Sequence, residues 1–494
     1  MGKKSQIPKM KEEQHQQQQS LLLHPNPNNG DVHIDGGITG EIWEELKKIW
    51  KIAGPSVFCR FAMFSLTIIT QSFAGHLSDL DLAAFSISTT FLIAVSFGFL
   101  LGMATALETL CGQAYGARQH HMLGIYLQRS CVVLSFCAIL LLPMFIFATP
   151  LLKILGQSAE VAERTGLVAR YLIPMHLSFI FQFSLQRFLQ SQLKTAIIAW
   201  SAAVALAVHA IISWLFIYKL GVGIVGAALT LDFSWWLSVF IMYGYVIYGG
   251  CPKTWKGFSL QAFTELWDFF KLSLASGVMV LLENVYYRLL VIASGDAGSS
   301  HVAVDALSIC VTLYGWESMV PLGILAATGV RVAIELGAGN VSGAKFAAKV
   351  CMMTSLVIGL IFFALVTAIP DRLAMIFTPN SSVVSVVRDL AFLLGSTIFL
   401  NSIPPVFLGI AVGSGWQALA AYINIGSYYL VGFPLGIFIG RVLNFGYMGI
   451  WAGMLGGSVT QIFLLAIIAV KLEWGKEVQK TRGKHFLVNK AVDD

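Results

Sequence analysis

The chain alternates long apolar runs with short polar breaks. A helix needs about 20 mostly apolar residues to span the hydrocarbon of a bilayer, and twelve stretches meet that length. They centre near Phe64, Ile93, Leu134, Phe179, Val204, Leu237, Leu281, Leu313, Ile358, Leu394, Tyr429 and Phe463. The pattern predicts an all-α integral membrane protein with twelve transmembrane helices. Several stretches contain proline (Pro55, Pro174, Pro321, Pro404-Pro405, Pro434), which in a membrane helix marks a bend. The second and the eighth run long, toward Gly116 and Gly337. Residues 1–45 are polar and read as a disordered tail.

Composition sharpens this picture. Charged residues make up 12% of the 494 and hydrophobic ones 56%, whereas a soluble domain carries about 25% charged residues. Too few charges remain to coat a soluble surface, which excludes an ordinary cytosolic enzyme, a coiled coil and a disordered scaffold. The 7 Cys are scattered without a C-x-x-C pair and read as small core residues, and the 10 His form no metal-like cluster. No Walker A run is present, so ATP-driven pumping is not expected, and no cofactor is expected besides H+ as the coupling ion. The net charge of +6 says less about nucleic acid, which is not an expected partner, than about topology. With the N-terminus placed inside, 23 of the 32 Lys and Arg fall on the tail side and 7 on the other, while Arg60 and Arg288 lie within helices. Basic residues collect on the cytoplasmic side, so both tails are expected there, as an even number of spans requires.

A repeat runs through the chain. Leu46-x-x-x-Trp50-Lys51 returns as Leu266-x-x-x-Phe270-Lys271, Ser86-Ile87 as Ser308-Ile309, and Leu101-Gly102 and Gly116-Ala117 as Leu322-Gly323 and Gly337-Ala338. Gly223 and Gly226 return as Gly446 and Gly449, and all offsets lie between 220 and 223. The expected layout is an N-lobe over 46–250, a cytoplasmic linker over 251–264, a C-lobe over 265–472 and a cytoplasmic tail over 473–494. Six spans per lobe keep both lobes in one orientation, so the repeat is a parallel pseudo-twofold about the membrane normal, as in several secondary transporters.

An ionisable side chain at bilayer depth costs about 2.5–3.5 kcal/mol on insertion scales, so each one is a functional candidate. Glu283 lies deep in the seventh stretch, with Asn284, Tyr287 and Arg288 beside it, and Asp305 opens the eighth. Asp305, Ser308 and Thr312 share one helix face, and Glu283 and Tyr287 share another. Burial and a nearby second carboxylate tune such a group to bind and release a proton. Glu283 and Asp305 are therefore the expected proton-coupling residues, with Arg60, Asn284, Tyr287, Arg288, Ser308 and Thr312 along the substrate path. Structural alternatives stay open: a Glu283–Arg288 ion pair, Asp305 as a helix cap, and Arg60 paired with an acid. Glu108 and Glu335 occupy equivalent-looking sites near helix ends, with Arg118 and Arg331 close by, and read as gate or anchor residues. Asp232, early in the sixth stretch, reads either way.

The residues carry a resemblance. Trp50-Lys51-Ile52-Ala53-Gly54-Pro55-Ser56, Gly102-Met103-Ala104-Thr105-Ala106-Leu107-Glu108-Thr109-Leu110-Cys111-Gly112-Gln113-Ala114-Tyr115-Gly116-Ala117, Val302-Ala303-Val304-Asp305-Ala306-Leu307-Ser308, Glu335-Leu336-Gly337-Ala338-Gly339-Asn340 and Gly415-Trp416-Gln417 resemble the plant detoxification branch of the multidrug and toxic compound extrusion (MATE) transporters. The resemblance covers residues 43 to 475 or so and implies a two-lobed antiporter. Such a protein exports organic cations, alkaloids, flavonoids or other metabolites from the cytosol in exchange for H+ or Na+, with H+ usual in eukaryotes. It also implies that Glu283 and Asp305 hold the family's second-lobe acids. Three positions depart from the pattern: Arg288 stands where many relatives have an acid, Asn401 where many plant members have Asp on helix ten, and Ile334 where Asn is usual. Asn401 joins the substrate path on this ground. Losing acids and gaining Arg288 favours a neutral or anionic solute, such as a glycosylated flavonoid, over a strongly cationic one. The expected partners are a small organic solute, protons and the lipid bilayer, with the chain acting as a monomer in the vacuolar or the plasma membrane. A transport-inactive receptor or regulator, and a lipid-linked flippase, are the competing readings.

Overall fold

The computed structural model describes residues 37–295 and 301–481, without the side chains of residues 284, 287–295, 301, 303, 304 and 447. The described residues contain no strand and form twelve long helices. These are α1 (Gly37–Gly75), α2 (Asp79–Gly116), α3 (His120–Ile146), α4 (Ala159–Tyr171 continuing as Ile173–Ser191), α5 (Ala196–Lys219) and α6 (Gly223–Gly250). The second lobe holds α7 (Leu266–Gly295), α8 (His301–Ala338), α9 (Val341–Ala368), α10 (Ser381–Asn401 continuing as Pro404–Ser414), α11 (Gln417–Val442) and α12 (Gly446–Lys471). Each predicted centre falls in its own helix. Ten of them are apolar and long enough to cross a membrane by composition alone. The other two are α4 and α7, and α4 carries His176, Gln182, Gln186, Arg187 and Gln190. The expected N-terminal tail falls on residues 1–36, outside the described residues, and on Gly37–Glu45, which is already helical. The tail expected after 472 is helical over 474–481, and its remainder is outside the described residues.

Local chemistry sets the helix ends. Ser78 caps α2 by accepting the Asp81 N–H at 3.0 Å, and Asp79 and Asp81 add negative charge where the helix dipole is positive. Asn340 caps α9 through Gly343 N–H at 2.9 Å, and Asn380 caps α10 through Ser382 N–H at 3.0 Å. Proline acts unevenly. α4 breaks at Leu172, before Pro174, and α10 breaks over Ser402–Ile403, before Pro404-Pro405. α1 and α8 instead run through Pro55 and Pro321.

The N-lobe core is one continuous cluster, centred on Phe97, Phe179, Phe183 and Trp235, with Phe179 and Trp235 ring centroids 4.9 Å apart. The C-lobe core divides into separate clusters: one includes Cys310, Leu394 and Ile398, another Ile324, Val406 and Ile410, and another Tyr286, Tyr428 and Ile450. Outside these cores the helices show large apolar side chains, among them Trp200, Ile211, Phe240, Ile361, Phe392 and Phe463. Helices so clothed, with their backbone bonded internally, are matched to lipid. All seven cysteines are free, six of them buried.

The repeat is visible as geometry. α2 and α8 cross so that Glu108 and Gly112 meet their own equivalents, Gly329 and Ala333, 221 positions on. A Cβ built on Gly112 would stand 2.6 Å from the Ala333 Cβ, and one on Gly329 would stand 2.5 Å from Glu108 Oε1. Gly116 is pressed against the Ile334 carbonyl, and Gly337 against the Gln113 carbonyl, which is the same contact seen from each lobe. Further along, Gly102 lies against Ser276 and Gly277 of α7, and Gly323 lies against Val57 and Ala53 of α1. A self-complementary contact of this kind is what a twofold axis produces, here within one chain.

Candidate functional site at the lobe interface

Alternating connections place one end of the bundle beside the inter-lobe linker, and this linker end is shut. Small residues let the backbones of α2 and α8 touch, and side chains then bond across the lobes. Thr109 Oγ1 donates to the Val412 carbonyl at 2.6 Å and accepts Gln417 Nε2 at 2.7 Å, while Gln113 Nε2 donates to the Gly413 carbonyl at 3.0 Å. Gly415, at φ +79°, makes the left-handed turn after α10 that brings Gln417 round to Thr109.

Glu108 sits in this seam, 0% exposed. Its Oε2 lies 2.5 Å from Arg187 Nη1, on an arginine 3% exposed. Arg187 also donates to Gln190 Oε1 at 3.2 Å, and Gln190 donates to Ser56 Oγ at 2.9 Å. Arg60 stands within electrostatic reach of both Glu108 and Arg187. The expected likeness of Glu108 and Glu335 does not hold. The repeat partner of Glu108 is Gly329, and its cation is Arg187 from α4 instead of the sequence-near Arg118. Glu335 bonds at a helix end to Arg331 at 2.7 Å and to Asn340 at 2.9 Å.

The other predicted residues lie in the C-lobe. Glu283 is half-buried on α7. Beside it the Leu282 carbonyl accepts Tyr429 Oη at 2.8 Å, and Tyr286, one turn on, stacks on Tyr428 at 4.7 Å. Tyr428 Oη continues to Gln461 Oε1 at 2.8 Å, and Gln461 Nε2 to Asn424 Oδ1 at 2.6 Å. α7 is thus tied at the height of Glu283 to α11 and α12. Asp305 and Ser308 are exposed on one face of α8, and Thr312 on that face donates to the Ser308 carbonyl at 2.8 Å. α8 begins at His301, so Asp305 lies inside the helix and does not cap it. Asn401 is half-buried at the break of α10. Arg60 is separate from these groups, in the N-lobe. The side chains of Asn284, Tyr287 and Arg288 lie outside the described residues, and with them the Glu283–Arg288 pairing. An open recess of ≈ 460 Å³, lined by Ile68, Gln71, Ser72, Gly75, His76 and Leu82, lies at the far end of α1.

Two features, Glu317 and His209, were missed in the sequence, and Asp232, which read either way there, takes a structural role. Glu317, buried within α8, has the same signal as Glu283, an acid inside an apolar run. Asp232 receives the Met175 N–H at 3.1 Å, serving the restart of α4 after its break. His209 joins Thr70 and Ser234, each at 2.9 Å, into a buried N-lobe network. Only folding could bring these last partners together.

The MatE family profile matches this chain twice, over residues 55–215 and 275–438. The two matches start 220 positions apart, which is the internal repeat. The chain belongs to the MatE family of transporters. It is 50% identical over 466 residues to Protein DETOXIFICATION 27 of Arabidopsis thaliana, covering 94% of this chain and 95% of that protein. Protein DETOXIFICATION 26 of the same plant is 51% identical over 459 residues, covering 92% and 94%. Among solved structures, the eukaryotic MATE transporter AtDTX14 superposes with a TM-score of 0.82 at 31% identity, over 90% of this chain and 99% of that one. An outward-facing MATE transporter of the MOP superfamily, 17% identical, shares the fold with a TM-score of 0.76 over 88% and 96%. The chain is accordingly a multi-pass membrane transporter of the detoxification type, handling small organic molecules.

Proposed function

We propose that this MatE protein is a proton-coupled antiporter that exports organic solutes from the cytosol by alternating access of its two lobes. It acts as a monomeric carrier and not as an enzyme, with H+ in place of any cofactor. The distribution of Lys and Arg supports a cytoplasmic linker end, with both tails there and the far end facing an acidic lumen or cell exterior. The observation that carries the reading is the contrast between the two ends. The linker end is sealed by the glycine seam, while Asp305 and the recess by Gln71 are accessible toward the other.

In this reading, a proton from the acidic side adds to the carboxylate of Glu283 or Asp305, and solute leaves toward that side. The lobes then rock about the α2–α8 axis and the seam parts. The proton passes to the cytosol, leaving the carboxylate free, and a new solute enters along Arg60, Asn284, Tyr287, Arg288, Ser308, Thr312 and Asn401. The cationic Arg60 and Arg288, with Asn401 in place of an acid, favour neutral or anionic secondary metabolites such as glycosylated flavonoids over alkaloid cations. The vacuolar and the plasma membrane both supply the required pH difference.

Proteoliposomes with an imposed pH gradient test this. Glu283→Gln is expected to abolish pH-driven uptake while leaving the protein folded, and normal transport by that variant refutes the assignment. Uptake confined to organic cations sinks the solute class. No movement of any solute under the gradient favours a receptor on the same fold.

A further inference from the structure

We propose that Glu317 is a second C-lobe proton-binding residue, placed where α8 meets the break in α10. The proposal rests on the proton-coupled reading and deepens it.

Glu317 is 4% exposed, and neither carboxylate oxygen has a hydrogen-bond partner. No ion pair reaches it among the described residues. An ionised carboxylate left in that state is strongly disfavoured, so a group kept there needs a compensating positive charge. A proton supplies one.

The surroundings favour a proton. Cys310, Glu317, Ile324 and Thr328 lie at helical spacing along one stripe of α8. Cys310 shares a core cluster with Leu394 and Ile398, and Thr328 touches Gly409. The stripe therefore runs along the side of α8 turned to α10, and counting residues from those two points along the two helices puts Glu317 level with the stretch from Ile398 to the break at Ser402–Ile403. Two main-chain acceptors are free of their helical donors there. Pro321, four residues after Glu317, has no N–H for the Glu317 carbonyl, and Pro405 has none for that of Asn401. A carboxylic acid, unlike a carboxylate, donates one hydrogen bond, and of the two the Asn401 carbonyl on the facing helix is the available acceptor, since the side chain of Glu317 leans away from its own carbonyl.

Among the described residues, the facing groups bring no competing charge to the site. On α8 itself they are Cys310 and Tyr314. On α10 they are Thr397 and Asn401, with Arg388 and Asp389 about three turns away. α9 contributes Cys351 and Ser355, whose Oγ donates to the Ser402 carbonyl at 2.6 Å. Its Lys345 and Lys349 lie near its linker end. Glu108 of α2 is at the height of Gly329, again about three turns away, and Arg60 of α1 is engaged with Glu108 and Arg187.

The test is infrared difference spectroscopy of the full chain in liposomes across a pH step, where each protonated carboxyl adds a C=O stretch. Glu317→Gln is expected to remove one component and Glu283→Gln a different one. Adding Asn401→Asp to Glu317→Gln is expected to restore a component, because it returns a carboxylate to the same junction. Thermal midpoints report folding, and if the Gln variant does not fold, a shifted component in Glu317→Asp decides in favour and an unshifted spectrum decides against. A Glu317→Gln spectrum identical to the wild type overturns the proposal, as does a component that follows Na+ and not pH. Failure of the coupling reading looks different, because pH-driven uptake then survives Glu283→Gln.

Discussion

At the residue scale, the charges within the helix bundle divide between the lobes. The N-lobe keeps a compensated set, Glu108 with Arg187 and Arg60, and the C-lobe keeps Glu283 and Glu317 with no described ion pair. A compensated set suits a seam that must close and reopen without taking up protons. Removing one partner of a buried pair leaves the other uncompensated and costs about 3–5 kcal/mol. Arg187→Met is therefore expected to lower the thermal midpoint in detergent substantially, and the double variant Glu108→Gln/Arg187→Met to recover most of the loss. A double variant no more stable than Arg187→Met contradicts this. Glu283 and Asp305 were legible in the sequence because an acid in an apolar run stands out by itself. Glu317 had the same signature. The pairing of Glu108 with Arg187 had none, since 79 positions separate the two in the chain.

At the element scale, the glycine repeat of α2 and α8 decides how closely the lobes approach. A side chain at Gly337 would run into the main chain of Gln113, which cannot turn aside as a flexible side chain could. Gly337→Val is expected to hold the linker end open. A cysteine placed at the buried Ser414 should then react faster with an impermeant maleimide added on the linker side. An unchanged labelling rate speaks against the seam as the closing element. The linker itself is a fastened strap. Arg129 of α3 pairs with Glu265 at 3.0 Å and donates to the Gln261 carbonyl at 3.2 Å, and Gln128 Nε2 donates to the Gly257 carbonyl at 3.0 Å. The sequence marked a linker there by its polarity, but not its anchorage, because hydrogen bonds to main-chain carbonyls leave no pattern in residue types.

At the scale of the whole molecule, the end away from the linker carries an ion pair that mild acid leaves in place. At the end away from the linker, between α9 and α10, two hydrogen bonds from Arg388 to Asp371, at 2.7 and 2.6 Å, hold the Asp371 carboxyl below its ordinary range. A depressed carboxyl contributes stability above the unfolded pKa, about 3.9 for Asp, and loses it as the pH falls through the lower folded value. A mildly acidic compartment thus leaves this contact intact. The small difference in thermal midpoint between wild type and Asp371→Asn should be equal at pH 7 and about pH 5, vanishing only below about pH 4. A difference already gone at about pH 5 counts against it.

Twelve apolar runs, a 220-residue repeat and an asymmetric spread of basic residues were all readable by eye. They settled the membrane setting, the helix count and the two-lobed layout, because bilayer thickness imposes a length and duplication imposes a period. The sequence also singled out two of the C-lobe acids, since lipid makes any buried charge conspicuous. The tertiary structure decided what faces what. It pressed the glycines of α2 and α8 against repeat-related positions across the axis, gave Glu108 to Arg187, and buried Glu317 without a hydrogen-bond partner. These are contacts between distant segments, and they exist only once helices of fixed pitch have packed at a particular rotation and height.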